Sequence, residues 1–260
     1  MNEAGAERIA RLHLALAGGH AARFADRAQI EAAARIEARY PGTGAQFAAA
    51  YAFHGRTARK AVADDGAAGA VFGAAGFPGA VSPHGEAMAA APSARFVIAD
   101  PSGAASYLNG QLLAGENVSA VRASVRDPDG FMGLPEVRAV GSPLQLHLQL
   151  CAHFWPEDMC RRILGRYARL LPPGSTLAMS QWCADGTAAG KEFLAVLGDA
   201  ADCPAYPHTR EAVAAWLAAA GTELLPPGVA DVRTYRRGWE HPAPAVRSPG
   251  LVAGAVARVP

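Results

Sequence analysis

Apolar positions in the first part of the chain recur at helical spacing. Residues 4–17 carry Ile9, Leu12 and Leu16, and Gly18-Gly19 stops the run. A second run over 23–40 sets Phe24, Ile30 and Ile36 among alanines and charges and ends at Pro41-Gly42. A third, over 44–64, contains Phe47, Tyr51 and Phe53 and closes at Asp64-Asp65-Gly66. The pattern predicts three opening helices and no strand.

From residue 67 the rhythm changes to short apolar stretches, 68–76, 94–100, 118–125, 144–154 and 175–182, separated by helical patterns. Those helices are expected to run to about Ala91, through Leu112-Leu113, near 135–140, over 156–171 and, after polar loops, over 209–220. Strand and helix in alternation predict a parallel sheet covered on both faces. Residues 222–239 read as an antiparallel hairpin, and the proline-rich stretch 242–260 as a loosely held tail. The expected fold is therefore α/β: an N-terminal helical lid over 1–66, then a doubly wound, mostly parallel sheet with a late antiparallel element over 67–241.

One strand departs from this pattern. A central parallel strand is covered on both faces and should be almost continuously apolar, yet LQLHLQLC alternates Leu144, Leu146, Leu148 and Leu150 with Gln145, His147 and Gln149. Buried polar side chains need partners. The neighbouring strand offers Thr176 and Ser180, and the residues predict a polar cavity in the sheet face or one opening into the crevice at the strand ends.

Composition narrows the partners. The 24 basic and 23 acidic residues leave a formal charge of +1, so no field exists to hold nucleic acid. Cys151, Cys160, Cys183 and Cys203 show no ligand spacing, which argues against a metal site and fits a reducing compartment. No apolar run approaches the ~20 residues that span a bilayer, and the N-terminus lacks the form of a signal peptide. A cytoplasmic protein acting on a small molecule is expected, and a homodimer is compatible with this reading.

In such sheets ligands bind beyond the carboxyl ends of the strands. After the first strand lies the small-residue turn GAAGFPGA, and after the second lies Asp100, where a carboxylate typically accepts ribose hydroxyls. The third is followed by ASVRDP and the fourth by HFWPED.

Here the chain resembles the bacterial S-adenosyl methyltransferase family, long a domain of unknown function. The resemblance runs over about residues 8 to 240. It is carried by ARLHLALAGGHAARFADR, ARFVIADPSGAASYLNGQLLA, VRDP with LPEVR, HFWPED, LPPGSTLAMSQWCADG and TREAVAAWL with the distal RTYRRGW. It implies a Rossmann-type S-adenosylmethionine (SAM) methyltransferase fold, with the opening helices over the cofactor cleft. Of the cofactor contacts the resemblance implies, Gly76 and Asp100 remain.

Several others differ. The family ends its first strand in D-x-G-x-G, where this chain has Phe72-Gly73-Ala74-Ala75-Gly76. The family's early tyrosine and aspartate, and its lysine, aspartate and asparagine after the double glycine, correspond to His13, Leu14, His20, Ala21 and Ala22. Ser124 stands where an aspartate usually meets the adenine amino group. A polar group left unpaired costs about 1–3 kcal/mol, and about 1.4 kcal/mol is a factor of ten. Several such losses predict weak binding in a conventional SAM pose.

The expected activity is a non-methylating step of specialised metabolism, such as cyclisation, rearrangement or dehydration of a largely apolar small molecule, with no cofactor required. Ordinary SAM-dependent O- or N-methyl transfer is the alternative, and a non-catalytic partner of a pathway enzyme the second alternative. His153 and His147 are candidate acid–base residues, with Gln149 beside them. His153 equally reads as a loop anchor and His147 as part of a core network. Gln145, Ser180, Tyr51, Phe154, Trp155 and Trp182 are candidate substrate contacts, although aromatics at strand ends more often serve packing. His13, His20 and His54 belong to the lid, with surface histidines as the default reading.

Overall fold

Residues 3–18, 26–79, 83–235 and 251–260 are described in the computed structural model. The opening helices are α1 (Glu3–Ala17), α2 (Arg27–Arg39) and α3 (Thr43–Ala63). Strands and helices then alternate: β1 (Gly69–Gly73), α4 (Pro83–Ala90), β2 (Arg95–Asp100), α5 (Gly103–Leu112), β3 (Val118–Arg122), α6 (Pro128–Gly133), α7 (Pro135–Arg138), β4 (Leu144–Gln149), α8 (Glu157–Leu170) and β5 (Thr176–Cys183). The chain closes with α9 (Ala188–Ala201), α10 (Arg210–Ala219), β6 (Glu223–Leu224), β7 (Ala230–Asp231) and β8 (Leu251–Arg258).

The eight-stranded sheet has the order β3-β2-β1-β4-β5-β8-β6, with β7 also on β8. β3 through β5 are parallel and β8 is antiparallel to β5. Strand order reverses between β1 and β4, so the connections leaving those neighbours diverge to opposite sides. That divergence opens a crevice at their carboxyl ends. α3 covers one face of β1, β4, β5 and β8, while α1 packs on α2, α3 and α5 near the strand ends.

Two C-terminal expectations are corrected. Residues 251–258 form β8, paired with β5 along its whole length and buried at Val252–Ala257, so this stretch is a central strand and not a loosely held tail. LVAGAVAR is a continuous apolar run, the pattern of a strand covered on both faces; the prolines upstream masked it. The expected 222–239 hairpin does not form either. β6 and β7 each pair with β8 and not with one another. Residues 236–250, including Arg236 and Arg237, lie outside the described residues.

The stretch expected as polar loops contains α9, which buries Phe193, Leu194, Leu197 and Ala201. Gly190 and Gly198 weaken the helical signal there; packing against the core restores it. Among the described residues no helix is long and apolar enough to cross a membrane.

Candidate functional site

The crevice is built from the ends of β1, β2 and β4. The chain leaves β1 at Gly73, where a Cβ would lie 2.3 Å from Val125 Cγ1, so no side chain fits without rearrangement. It then turns through Ala74 at φ 55° and Gly76 at φ 69°. Both lie in the left-handed region, natural for glycine and strained for alanine.

Asp100, the last residue of β2, fixes this turn. Its Oδ2 accepts from the Gly76 N–H and its Oδ1 from the Ser102 N–H, both at 2.8 Å. Asn109 Nδ2 donates to the Gly76 carbonyl at 2.9 Å, so the glycine is held from both sides. Burial pushes the Asp100 carboxyl up to about 6, against the lowering effect of its two backbone donors.

Two cavities flank this turn. The front one, about 40 Å³, lies between α1 and the strand ends and is lined by Ile9, His13, Gly76, Asp100, Cys151 and Phe154, among others. The rear one, about 60 Å³, lies behind the turn among α1, α3, α4 and α5, with Leu14, Tyr51, Phe72, Phe77, Ile98 and Leu113 in its walls. Gln149 lines both. It is buried, and its Oε1 has no hydrogen-bond partner.

Beneath Gln149 the polar residues of β4 form a file under α3. Strand alternation puts Gln145, His147 and Gln149 on one face, in register with Thr176, Ala178 and Ser180 of β5. Gln145 Nε2 donates to Thr176 Oγ1 at 2.9 Å. His147 Nδ1 lies 2.9 Å from His54 Nδ1, and His54 Nε2 lies 2.8 Å from Ser180 Oγ. Ser180 Oγ also accepts from the Leu150 N–H at 3.3 Å. Burial holds both histidines below their ordinary range, His54 down to about 3, so both are neutral at pH 7. The polar strand is thus answered in part by a hydrogen-bonded network, which leaves Gln145 Oε1 and His147 Nε2 without partners, and of the three polar residues only Gln149 lines the two cavities.

The expected site residues therefore separate. Gly76, Asp100, Gln149 and Phe154 come together at the front cavity, and Tyr51 joins the rear one. Tyr51 also stands over the turn, since a Cβ on Gly76 would lie 3.7 Å from its hydroxyl. His153 is fully buried and lines neither cavity; its Nδ1 takes a long 3.5 Å contact from the Trp182 N–H. Trp155 and Trp182 are core residues and not a pocket wall: the Trp155 carbonyl meets His208 Nε2 at 2.9 Å, and Trp182 packs on Phe47 and Phe193. Gln145 Nε2 and the Ser180 hydroxyl are engaged in the network and neither residue lines a cavity, and Ser124 sits in a turn whose Arg126 N–H donates to its hydroxyl at 3.3 Å. His20, Ala21 and Ala22 lie outside the described residues.

His13 and His54 are not surface histidines. His54 lies on the same buried stripe of α3 as Phe47, Ala50 and Ala58, a periodicity that marks it as core. His13 is 6% exposed and lines the front cavity, with its ring 4.8 Å from Phe47 and 6.0 Å from Phe154. Its Nε2 has no partner, and burial holds its pKa down to about 3.

The sequence model of the S-adenosyl methyltransferase family matches residues 3–260. The chain belongs to that family. Its fold is similar to that of a candidate methyltransferase from Thermobifida fusca YX, at 23% identity and TM-score 0.86 over 96% of this chain and 94% of the other. It is equally similar to a DUF574 family protein from Streptomyces avermitilis MA-4680, at 24% identity and TM-score 0.85 over 96% and 97% of the two chains. Human N-acetylserotonin methyltransferase, solved in complex with SAM, shares 15% identity at TM-score 0.51, over 83% of this chain and 53% of that one. No curated protein sequence matches the chain.

The cleft of this family member fits the two ends of SAM unequally. The nucleoside end fits: each Asp100 oxygen spends one lone pair on a backbone N–H and keeps capacity for a ribose hydroxyl. The described residues offer less to the amino-acid end. Among the described residues, Asp100 is the only acidic or basic side chain other than histidine that lines either cavity, and Phe72, near the end of β1, presents an apolar ring to the rear one.

Proposed function

We propose that this S-adenosyl methyltransferase family member catalyses a non-methylating step of specialised metabolism, such as cyclisation, rearrangement or dehydration, on a largely apolar small molecule. The observation that carries this reading is Phe72. The side chain at the position of the family's acid is an apolar ring in the wall of the rear cavity, which offers nothing to a methionine ammonium. In such an enzyme a shaped pocket supplies much of the rate by positioning.

The acid–base role falls to His13 in this reading, with Gln149 orienting the substrate. A base has to reach the proton that it moves, and both residues line the front cavity. His147 and His153 line neither cavity and hold the core around them. Because His13 is neutral, its Nε2 either accepts or donates according to tautomer.

SAM-dependent O- or N-methyl transfer is a second reading, favoured by the Asp100–Gly76 contact at 2.8 Å. Titration calorimetry with SAM and S-adenosylhomocysteine separates the two. The first reading expects no binding at micromolar ligand. Micromolar affinity together with methyl transfer to a pathway intermediate overturns it.

A further inference from the structure

Gln149 separates the two cavities, is 3% exposed, and has a side-chain oxygen with no donor. Its cross-strand neighbour Ser180 does not supply one; that hydroxyl lies 2.8 Å from His54 Nε2 and already accepts from the Leu150 N–H. Buried amide oxygens in folded proteins are nearly always paired; those of Gln29, Gln145 and Gln181 are unpaired as well but line neither cavity, so it is the Gln149 oxygen, between the two cavities, that marks a place for a donor from outside the chain.

The rear cavity says what kind of donor. Its walls are mostly apolar, and the polar groups that reach it are few and uncharged: the Tyr51 hydroxyl, the Asn109 amide, the His84 ring and Gln149 itself. Asn109 already donates to the Gly76 carbonyl. Burial lowers the His84 pKa, which keeps that ring uncharged at neutral pH. Among the described residues a charged ligand would find no opposite charge here, and a purely apolar one would leave Gln149 unpaired.

We infer that the rear cavity is a binding site for the apolar body of a neutral, singly hydroxylated small molecule, phenol-like in chemistry, whose hydroxyl donates to Gln149 Oε1. The free space of about 60 Å³ restricts the enclosed part to a short branched chain or the edge of one ring. Gln149 then sets specificity, because the same hydroxyl is presented to the front cavity, where His13 and Asp100 lie. The inference does not depend on whether SAM is used.

Phenol and benzene are the probes, measured by calorimetry and thermal shift on the full chain and by crystals soaked in phenol. The expected density shows the edge of the phenol ring in the rear cavity, with its oxygen at hydrogen-bond distance from Gln149 Oε1. Gln149→Leu is expected to weaken phenol by about five- to tenfold and to leave benzene unchanged, since one net hydrogen bond is lost. Ala48→Phe, placed in the cavity wall, is expected to abolish binding of both. Water alone in the cavity overturns the inference, as does a folded Gln149→Leu variant that binds phenol as tightly as the parent. Should Ala48→Phe fail to fold, Gln149→Leu decides the matter. SAM binding with methyl transfer would defeat the non-methylating reading while leaving this result intact.

Discussion

Phe72 lies nearly face to face on His147 across the β1–β4 pair, with ring centroids 4.4 Å apart and planes 20° from parallel. The two are register partners, so a change at one alters the surroundings of the other. An acid at residue 72 would sit against the His54–His147 pair and draw it toward the charged form. The aromatic ring keeps that pair neutral and seals it from the cleft.

Acid should unfold the protein through these histidines. For His54 the folded pKa is held down to about 3 by burial, with Arg56 adding to the effect, against an ordinary 6.5. Its contribution is fully present above pH 6.5 and is lost as pH falls toward 3, because the unfolded chain binds the proton first. His54→Gln should reduce the slope of stability against pH by about 1.4 kcal/mol per unit between pH 4 and 6. Urea titrations at several pH values measure it, and an unchanged slope contradicts the neutral pair.

Asp100 works in the opposite direction. Its folded pKa of about 6 lies above the ordinary 3.8, so ionisation costs the folded state, and stability declines as pH rises from about 4 to 6 and is level above. Comparing Asp100→Asn with the parent at pH 5 and pH 7 should show the variant gaining relative to the parent at the higher pH. The full effect across the window is roughly 3 kcal/mol. A gap that does not change with pH would mean that the carboxyl is not strained by burial.

Ala74 sits at φ 55°, a left-handed conformation natural for glycine. Ala74→Gly should stabilise the protein by about 1 kcal/mol, the relief of left-handed strain outweighing the added chain entropy. Chemical denaturation reads the difference directly. Destabilisation would show that the alanine methyl earns its place by packing at the cavity wall.

Deleting residues 251–260 should abolish folding. β8 is buried at Val252–Ala257 and pairs with β5, β6 and β7; without it, the apolar β5 edge is open to water and to other chains. Circular dichroism and size-exclusion chromatography test this. A truncated chain that remains monomeric with native secondary structure would show that the strand is dispensable.

The order of strands and helices, the carboxylate at the end of β2 and the small-residue turn beside it were legible along the chain, because they depend on periodicity and on residue types next to each other in sequence. The anomaly of Gln145, His147 and Gln149 was legible too, but not its resolution: His54 lies 93 residues away from His147 along the chain. Only the packing of α3 on the sheet brought the two rings together, and only that of α1 near the strand ends put His13 in the cleft wall beside the cavity-lining end of the polar strand. β8 escaped because a short apolar run after prolines has no local mark of its position. What covers an apolar strand, and what satisfies a buried polar group, are supplied by distant parts of the chain, and that choice is made only when the core closes.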